Sequence, residues 1–410
     1  MNLVMAWRNV WRNPRRSLLT MAAIAFATLL LVFMLSMQFG SYETMINSAV
    51  KIQTGHLQVQ AQTYQEKRDI RLVVPDPEPI AKILEKIPQV TAFTFRSEAF
   101  VLVSSRDRTY GAMLVGVDPQ REAGVSTLKT IVRQGRYLEE GDTNLALLGK
   151  LLARNLRVDV GDELVILGQG RDGSIAATVV TVKGVFDSGQ DDFDRSVVHV
   201  PLPFFQETFG MRGAVHTVVA ISKSLEAVPG IKQALNDALK RLPDSDHLVA
   251  LDWQELLPGL IQAIKMDLVS GFIFYIILII VVAFSILNTF LMAIFERTRE
   301  FGVMMAIGTR PGRLVKLILL ESAGITLLGS IAGILAGCLI TWYFQVHGIL
   351  IPGAEEVARQ FGLPERIYPN LSVFSVGIGA GIVLVITSMT ALYPALRIRR
   401  LKPVEALTAT

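Results

Sequence analysis

The residues that could do chemistry in this chain are few, and their spacing does not suit it. His56, His199, His216, His247 and His347 stand singly, without the H-E-x-x-H or H-x₃₋₅-H spacing that puts two imidazoles on one zinc ion. Asp187, Asp191, Asp192 and Asp194 crowd together but lack the alternation of a calcium loop. A solvated acidic loop is the expected reading, as for most charge runs. Ser104 and Ser105 have no G-x-S-x-G context, so no nucleophile elbow is expected. Gly168-Gln169-Gly170-Arg171-Asp172-Gly173 has the glycines of a phosphate cradle. It lies between two strand-like runs, however, and reads as a hairpin turn. No G-x-x-x-x-G-K-[ST] occurs, so the chain does not hold ATP by that route. The expectation is a chain with no catalytic residue, no metal and no cofactor of its own.

The elements around these residues are more telling. Ser17–Tyr42, Leu268–Phe295, Ser322–Ala354 and Ile367–Leu396 contain no Asp, Glu, Lys or Arg. A bilayer core takes about 20 apolar residues in helical form, and each run supplies that. The 410 residues are 51% hydrophobic and 19% charged, too apolar for an average soluble protein. Lys and Arg gather at Arg8, Arg12, Arg15 and Arg16, at Arg297–Lys316, and at Arg397–Lys402. The connection after the third run has Arg359 and Arg366 against Glu355, Glu356 and Glu365. Positive flanks mark the cytoplasmic side, which places both termini and the 296–316 connection there. The expected fold is a membrane protein with four transmembrane α-helices arranged 1+3 and a large α+β extracytoplasmic domain between the first and second.

The expected divisions are a cytoplasmic amphipathic helix over 1–16, spans at 17–42, 268–295, 314–344 and 369–396, and the exported domain at 43–265. A cytoplasmic connection at 296–313, an outer loop at 345–368 and a cytoplasmic tail at 397–410 complete the chain. The first apolar run exceeds a signal-peptide core of 7–15 residues and no A-x-A-like site ends it, so an uncleaved anchor is expected. Leu3, Val4, Trp7, Val10 and Trp11 recur at helical spacing before Pro14, which suits a helix lying on the inner leaflet with its arginines towards anionic lipid.

The exported segment alternates strand-like runs at His56–Val59, Ala99–Ser104, Gly111–Val117, Glu163–Leu167, Thr178–Val185, Val197–Val200 and Val215–Ile221 with helical pattern at Glu78–Ile87, Gly149–Leu156 and Leu225–Leu242. A mixed domain, divisible into two subdomains, is expected. Its acidic and basic residues nearly balance, which does not suit nucleic acid. The one cysteine, Cys338, falls in the third run, so no intramolecular disulfide is possible.

Glycines carry a further signal. Gly329, Gly333 and Gly337 are four residues apart on the third run, and Gly377 and Gly381 on the fourth. Small-xxx-small faces let helix backbones approach closely in lipid, and both sets are read as packing faces within the bundle, with a dimer seam as the other reading. Glu321 is expected to pair with Lys316 at the cytoplasmic edge rather than relay protons.

The connection Glu296-Arg297-Thr298-Arg299-Glu300-Phe301-Gly302-Val303-Met304-Met305-Ala306-Ile307-Gly308-Thr309-Arg310 joins charge to apolar side chains on a short helix. Such a helix lies against the bilayer or inserts into a partner's groove. The stretch resembles the E-R-x-x-E-[IF]-G-x-x-x-A-[IL]-G signature of FtsX-like ABC transporter permeases, a family that includes lipoprotein-releasing, macrolide-efflux and cell-division permeases. Tyr393-Pro394-Ala395-Leu396-Arg397 through Leu407 is similar to that family's closing motif. Gly135-Arg136-Tyr137-Leu138, Leu148-Gly149-Lys150-Leu151-Leu152-Ala153 and Val160-Gly161-Asp162 match motifs of its exported domain, in the family's order.

The resemblance implies a dimer with a second permease copy or a paralogue, served by a separate ABC ATPase subunit that binds ATP and Mg. It implies that Glu296, Arg297, Glu300, Phe301, Gly302, Met305, Ala306, Gly308 and Arg310 couple to that ATPase. By the same analogy Met34, Met37, Phe39 and Met45, with Met266, Phe272 and Phe274, are candidate lining for an acyl-chain cavity; flexible Met and aromatic side chains suit acyl chains and plain membrane lipid alike. The turn Gln169–Ser174 is short where chaperone-recruiting relatives carry a long hook, so a periplasmic carrier or adaptor is an open partner. Three functions follow: extraction of lipoprotein or other lipid-anchored cargo from the inner membrane, mechanotransmission that drives efflux of a periplasmic drug or peptide, and regulation of a cell-wall hydrolase.

Overall fold

The computed structural model describes residues 2–350 and 366–398. The outer loop's Glu355, Glu356, Arg359 and Glu365 and the closing motif beyond Ile398 lie outside the described residues. Two compact units are present, one of residues 2–44, 263–350 and 366–398, the other of residues 45–262.

The first unit is helical. Its elements are α1 (Asn2–Arg12), α2 (Pro14–Ala49), α3 (Pro258–Glu296), α4 (Thr298–Ala306), α5 (Pro311–His347) and α6 (Val373–Ile398). Proline opens α2, α3 and α5, where its fixed φ fits the first helical position and its missing N–H has no partner to lose. Four helical segments among the described residues, Pro14–Thr54, Pro258–Glu296, Pro311–His347 and Val373–Leu396, are long and apolar enough to cross a membrane. Pro14 starts α2 rather than merely ending α1, so Arg15 and Arg16 belong to the long helix. The face expected to lie on lipid divides: Trp7 and Trp11 are exposed, whereas Val10 is buried among Ile24, Ala27 and Ile286.

Glycine decides the closest helix contact. A Cβ on Gly333 would lie 2.5 Å from the Ala25 carbonyl oxygen and 2.6 Å from Thr28 Cβ, and one on Gly329 would lie 2.9 Å from the Met21 carbonyl oxygen. Gly337 faces Leu29 and Val32 at looser distances. The triplet is the groove of α5 that receives α2. Gly377 and Gly381 are a correction: a Cβ on either meets nothing within 4 Å, and Gly379 is the residue of α6 set against Val32.

The second unit is built on one ten-stranded sheet. Its strands are β1 (Leu57–Ala61), β2 (Val90–Ser104), β3 (Thr109–Val117), β4 (Val132–Gly135), β5 (Leu145–Gly149), β6 (Glu163–Gln169), β7 (Ile175–Phe186), β8 (Val197–Pro201), β9 (Thr217–Ser222) and β10 (Leu248–Asp252). They run in the order β10-β1-β9-β2-β3-β8-β5-β7-β4, with β6 paired to both β2 and β7. One continuous sheet replaces the expected two subdomains, because the 15-residue β2 pairs β9 with its first half and β3 and β6 with its second. The main core joins Val101, Leu114, Leu148, Ile166 and Val180 from five strands. On the outer face Phe100, Leu102, Val165, Leu167, Ile175 and Val179 remain exposed, with Leu102 opposite Leu167 and Val165 opposite Val179.

Two buried histidines staple this sheet in the same way. His56 Nδ1 accepts the Ser222 N–H at 3.0 Å and lies 3.3 Å through Nε2 from Asn47 Oδ1. His216 Nδ1 accepts the Glu98 N–H at 2.8 Å and its Nε2 faces the Ile70 carbonyl at 3.1 Å. Acceptance at Nδ1 requires the neutral ring. His199 lies between Phe186 and Phe193, with no partner at Nδ1. Burial pushes His56 and His199 down to about 4, against about 6.5 in an unfolded chain.

A lowered histidine pKa means that the unfolded state binds more protons between these values. The stabilisation is therefore complete above about pH 6.5 and is lost as pH falls towards 4. Each ring contributes about 3 kcal/mol over that window. The thermal transition of the sheet domain in the full chain in detergent, followed through Trp253 with Trp7, Trp11 and Trp342 replaced by phenylalanine, should drop steeply between pH 7 and pH 4.5, and His199→Leu should flatten the profile. An unchanged pH profile in that variant would remove His199 from the account.

Candidate functional site

The site centres on α4. Arg297 precedes it with φ −104°, breaking the run from α3, and Gly308 closes it with φ +96°. The Gly308 N–H bonds the Met305 carbonyl at 3.0 Å and the Thr309 N–H bonds the Met304 carbonyl at 2.9 Å. That is a Schellman closure, which needs a left-handed residue and so favours glycine. Arg310 then caps α5 with Pro311 in its first turn.

Phe301 fastens α4 to the bundle. It is 1% exposed and packs among Ile294, Leu314, Val315, Ile318 and Ala395, with Met304 and Met305 beside it. The Arg297 guanidinium lies 5.6 Å from its ring centroid. Gly302 is buried next to it.

Glu296, Arg297 and Glu300 turn back onto their own chain. Arg297 Nη1 donates to both Glu321 oxygens, at 3.2 and 3.0 Å, and its Nε to Glu300 at 3.4 Å. Glu321 therefore pairs with Arg297 rather than with Lys316. Arg16 donates to Glu296 at 2.6 Å, and Arg12 donates to Glu300. Burial opposes ionisation of Glu300, but the adjoining Arg12 and Arg297 guanidiniums outweigh it and hold the carboxyl below its ordinary value. A cavity of about 30 Å³, lined in part by Arg16, Thr20, Arg297, Glu321 and Ser322, lies behind these pairs.

With Glu296, Arg297, Glu300, Phe301 and Gly302 engaged internally, α4 and its exit present a different set outward. Arg299, Val303, Ala306, Ile307, Gly308, Arg310 and Arg313 are exposed, Ile307 at 79%. An apolar knob ringed by arginines suits a groove with an acidic rim. The sequence predicts an exposed apolar turn of Phe301, Val303, Met304, Met305 and Ile307; Val303 and Ile307 are exposed, whereas Phe301 is buried and Met304 and Met305 are half-buried beside it.

The candidate lining residues are scattered. Met266, Phe272 and Phe274 are exposed on α3, and Met34 is exposed on α2. Phe39 meets the Phe374 ring at 5.8 Å, so it is taken up by α6, and Met37 is half-buried. Met45 falls in the other unit. A polar cluster missed from the sequence lies among them. The Tyr42 hydroxyl donates to Asp267 Oδ2 at 2.5 Å, Gln38 Nε2 donates to the Tyr42 hydroxyl at 2.8 Å, and the Tyr275 hydroxyl donates to Gln38 Oε1 at 2.8 Å. Gly271 admits it, since a Cβ there would lie 2.7 Å from Gln38 Nε2.

The acidic run of the second unit is not a solvated loop. Asp191–Ser196 is helical, Asp194 is buried and accepts the Ser188 N–H at 3.0 Å, and Asp187 pairs with Lys150 at 2.8 Å. Gly170–Gly173 is the turn between antiparallel β6 and β7, as expected. Among the described residues no three His, Cys, Asp or Glu side chains gather as a metal ion would need.

Comparison with known proteins gives two family matches. Residues 272–403 match the FtsX-like permease C-terminal family and residues 17–238 the MacB-like periplasmic core domain. The lipoprotein-releasing system transmembrane protein LolC of Xylella fastidiosa (strain 9a5c) is 25% identical over 97% of this chain and 95% of its own. The macrolide export ATP-binding/permease protein MacB of Vibrio parahaemolyticus is 22% identical over 99% of this chain but 59% of its own length. The crystal structure of the periplasmic region of MacB from Actinobacillus actinomycetemcomitans aligns with 52% of this chain and 94% of its own, at 16% identity and a TM-score of 0.38.

Proposed function

From the premise that this chain belongs to the FtsX-like ABC transporter permease family, we propose that it is the membrane subunit of an ATP-driven transporter whose ATPase is a separate chain. In this reading the four apolar helices cross the bacterial inner membrane in a 1+3 arrangement, with the sheet domain outside the cytoplasm. The ATPase binds ATP and Mg, and α4 docks into it. A second copy or a paralogue completes a dimer along α3, whose apolar stretch is the least covered of the four. The membrane-facing cargo is a lipoprotein or another lipid-anchored molecule, drawn from the bilayer past α2 and α3.

One observation carries the docking assignment. Glu296, Arg297 and Glu300 are satisfied within the chain, whereas Val303 and Ile307 are exposed on the same stretch as the exposed Arg299, Arg310 and Arg313. Exposed aliphatic knobs of this kind are what a partner groove takes up. Ile307→Asp should therefore reduce recovery of the ATPase with the purified chain by about tenfold or more, on the scale of a lost interface anchor. Equal recovery from the Ile307→Asp chain would remove α4 as the docking element. The cargo assignment is supported by similarity to LolC over nearly the whole length. Native mass spectrometry of the complex tests it, since a co-purified acylated protein is expected.

The exposed strip of Phe100, Leu102, Val165, Leu167 and Ile175 favours a second reading. An apolar face on an exported domain offers a surface to a periplasmic adaptor, as efflux by mechanotransmission would use. Recovery of an adaptor without acylated cargo would favour it.

A further inference from the structure

Arg12 and Arg16 are four residues apart, and so are the residues they hold, Glu300 and Glu296. The pairing is antiparallel, so the α1–α2 junction and the α3–α4 junction meet as a two-rung ladder. The junction is fixed on its own side as well. Ser17 Oγ donates to the Val10 carbonyl at 2.6 Å, and Val10 is buried at 1% exposure. The rungs continue inward through Arg297, which joins Glu300 to Glu321 of α5.

These pairs are poorly placed to supply stability. The Arg12–Glu300 side chains are 50% and 45% exposed, and exposed ion pairs contribute about 0–1 kcal/mol. What they fix is position. A displacement of α4 cannot leave Glu296 and Glu300 behind, and two rungs transmit both translation and tilt where one would pivot.

We propose that this ladder makes the α1–α2 segment a second output of the docking helix: Arg12 and Arg16 are positioning residues that carry its displacement directly to the first span. This rests on the reading of α4 as the ATPase-docking element. In that scheme α3 and α5 receive the motion because the chain joins them to α4, and α2 receives it through the ladder in addition to its seat on α5.

The test uses the full chain with its co-purified ATPase in nanodiscs. Cys338 is replaced by serine, and spin labels are set at Leu19 of α2 and Leu327 of α5, both exposed. With the ladder intact, adding a non-hydrolysable ATP analogue should shift the inter-label distance. Arg12→Glu with Arg16→Glu should abolish the shift while leaving ATPase recovery unchanged. Adding Glu296→Arg and Glu300→Arg, which reverses both rungs, should restore it. A shift that persists in the doubly reversed arginine variant overturns the proposal, as does failure of the fourfold swap to restore it. Loss of the ATPase from the Arg12→Glu, Arg16→Glu chain also overturns it, since those arginines would then face the partner. Failure of the parent chain to recover any ATPase is a separate result, seen before any variant is made, and sinks the docking assignment itself.

Discussion

Leucine at Gly333 should break the seat of α2 on α5 and lower the thermal transition of the purified chain in detergent by roughly 5–10 °C. The obstacle is rigid: the first added atom already falls 2.5 Å from the Ala25 carbonyl oxygen. Backbone cannot swing aside as a long side chain can. Alanine at the same position should produce a smaller loss of the same sign, and leucine at Gly329 should rank close behind, with its first contact at 2.9 Å. Leucine at Gly377 or Gly381 should leave the monomeric chain unchanged, because open space surrounds both. Scanning fluorimetry of the four leucine variants and the alanine variant checks the order. Equal losses across the four leucine variants would show that close approach to α2 does not set the order.

Removing one member of the Arg96–Glu122 pair should have the largest effect on the sheet domain. Arg96 is 4% exposed and Glu122 1%, and the guanidinium donates to Glu122 through Nε at 3.0 Å and Nη2 at 2.6 Å. Burial opposes charge on both, but each outweighs that cost for the other, so Glu122 is held below its ordinary value and Arg96 above. Stranding one buried charge costs about 3–5 kcal/mol. Arg96 also donates to the Gln53 carbonyl in the π-turn Val50–Thr54 that follows α2. Arg96→Ala should therefore exceed Glu122→Gln, and Arg96→Met with Glu122→Leu should recover most of the loss by removing both charges. Denaturant unfolding of the full chain, read through the buried Trp253 with Trp7, Trp11 and Trp342 replaced by phenylalanine, measures the series. A double variant as unstable as the worse single one would mean that the pair sets the fold of that corner as well as its energy. The carboxylate's contribution is present above its unfolded value near 4.3 and is lost as pH falls through its lower folded one, so it adds to the histidine effect only below about pH 4.

The parts legible in the sequence were those written in runs. The apolar stretches gave the long helices, because uncharged length needs no knowledge of neighbours. Alternating strands such as Glu163–Leu167 were visible for the same reason. Leu145–Gly149 was not: it is buried on both faces, so it lacks alternation, and its apolar run merged with the helix that follows. Which charge meets which was also hidden. Lys316 is five residues before Glu321, which turns it to another face of α5, while Arg297 arrives from a separate helix. For Gly377 and Gly381 the spacing was legible but the phase was not. Which side of α6 faces α2 is set by Gly379 and its neighbours, two residues out of register with the pair.

The long helix α2 is held at its two ends by different forces. At Arg12 and Arg16 it is tied by opposite charges in reach of water, and such ties fade as ionic strength shortens the Debye length from about 8 Å to about 3 Å. At Gln38 and Tyr42 it is tied to α3 by uncharged donors on a single carboxylate, to which dissolved salt is nearly indifferent. Salt therefore acts on this helix as a clutch. It loosens the ionic tie near α4 and leaves both the tie near Asp267 and the seat of residues 21–28 in the glycine groove of α5 engaged, so only the segment ahead of that seat gains freedom.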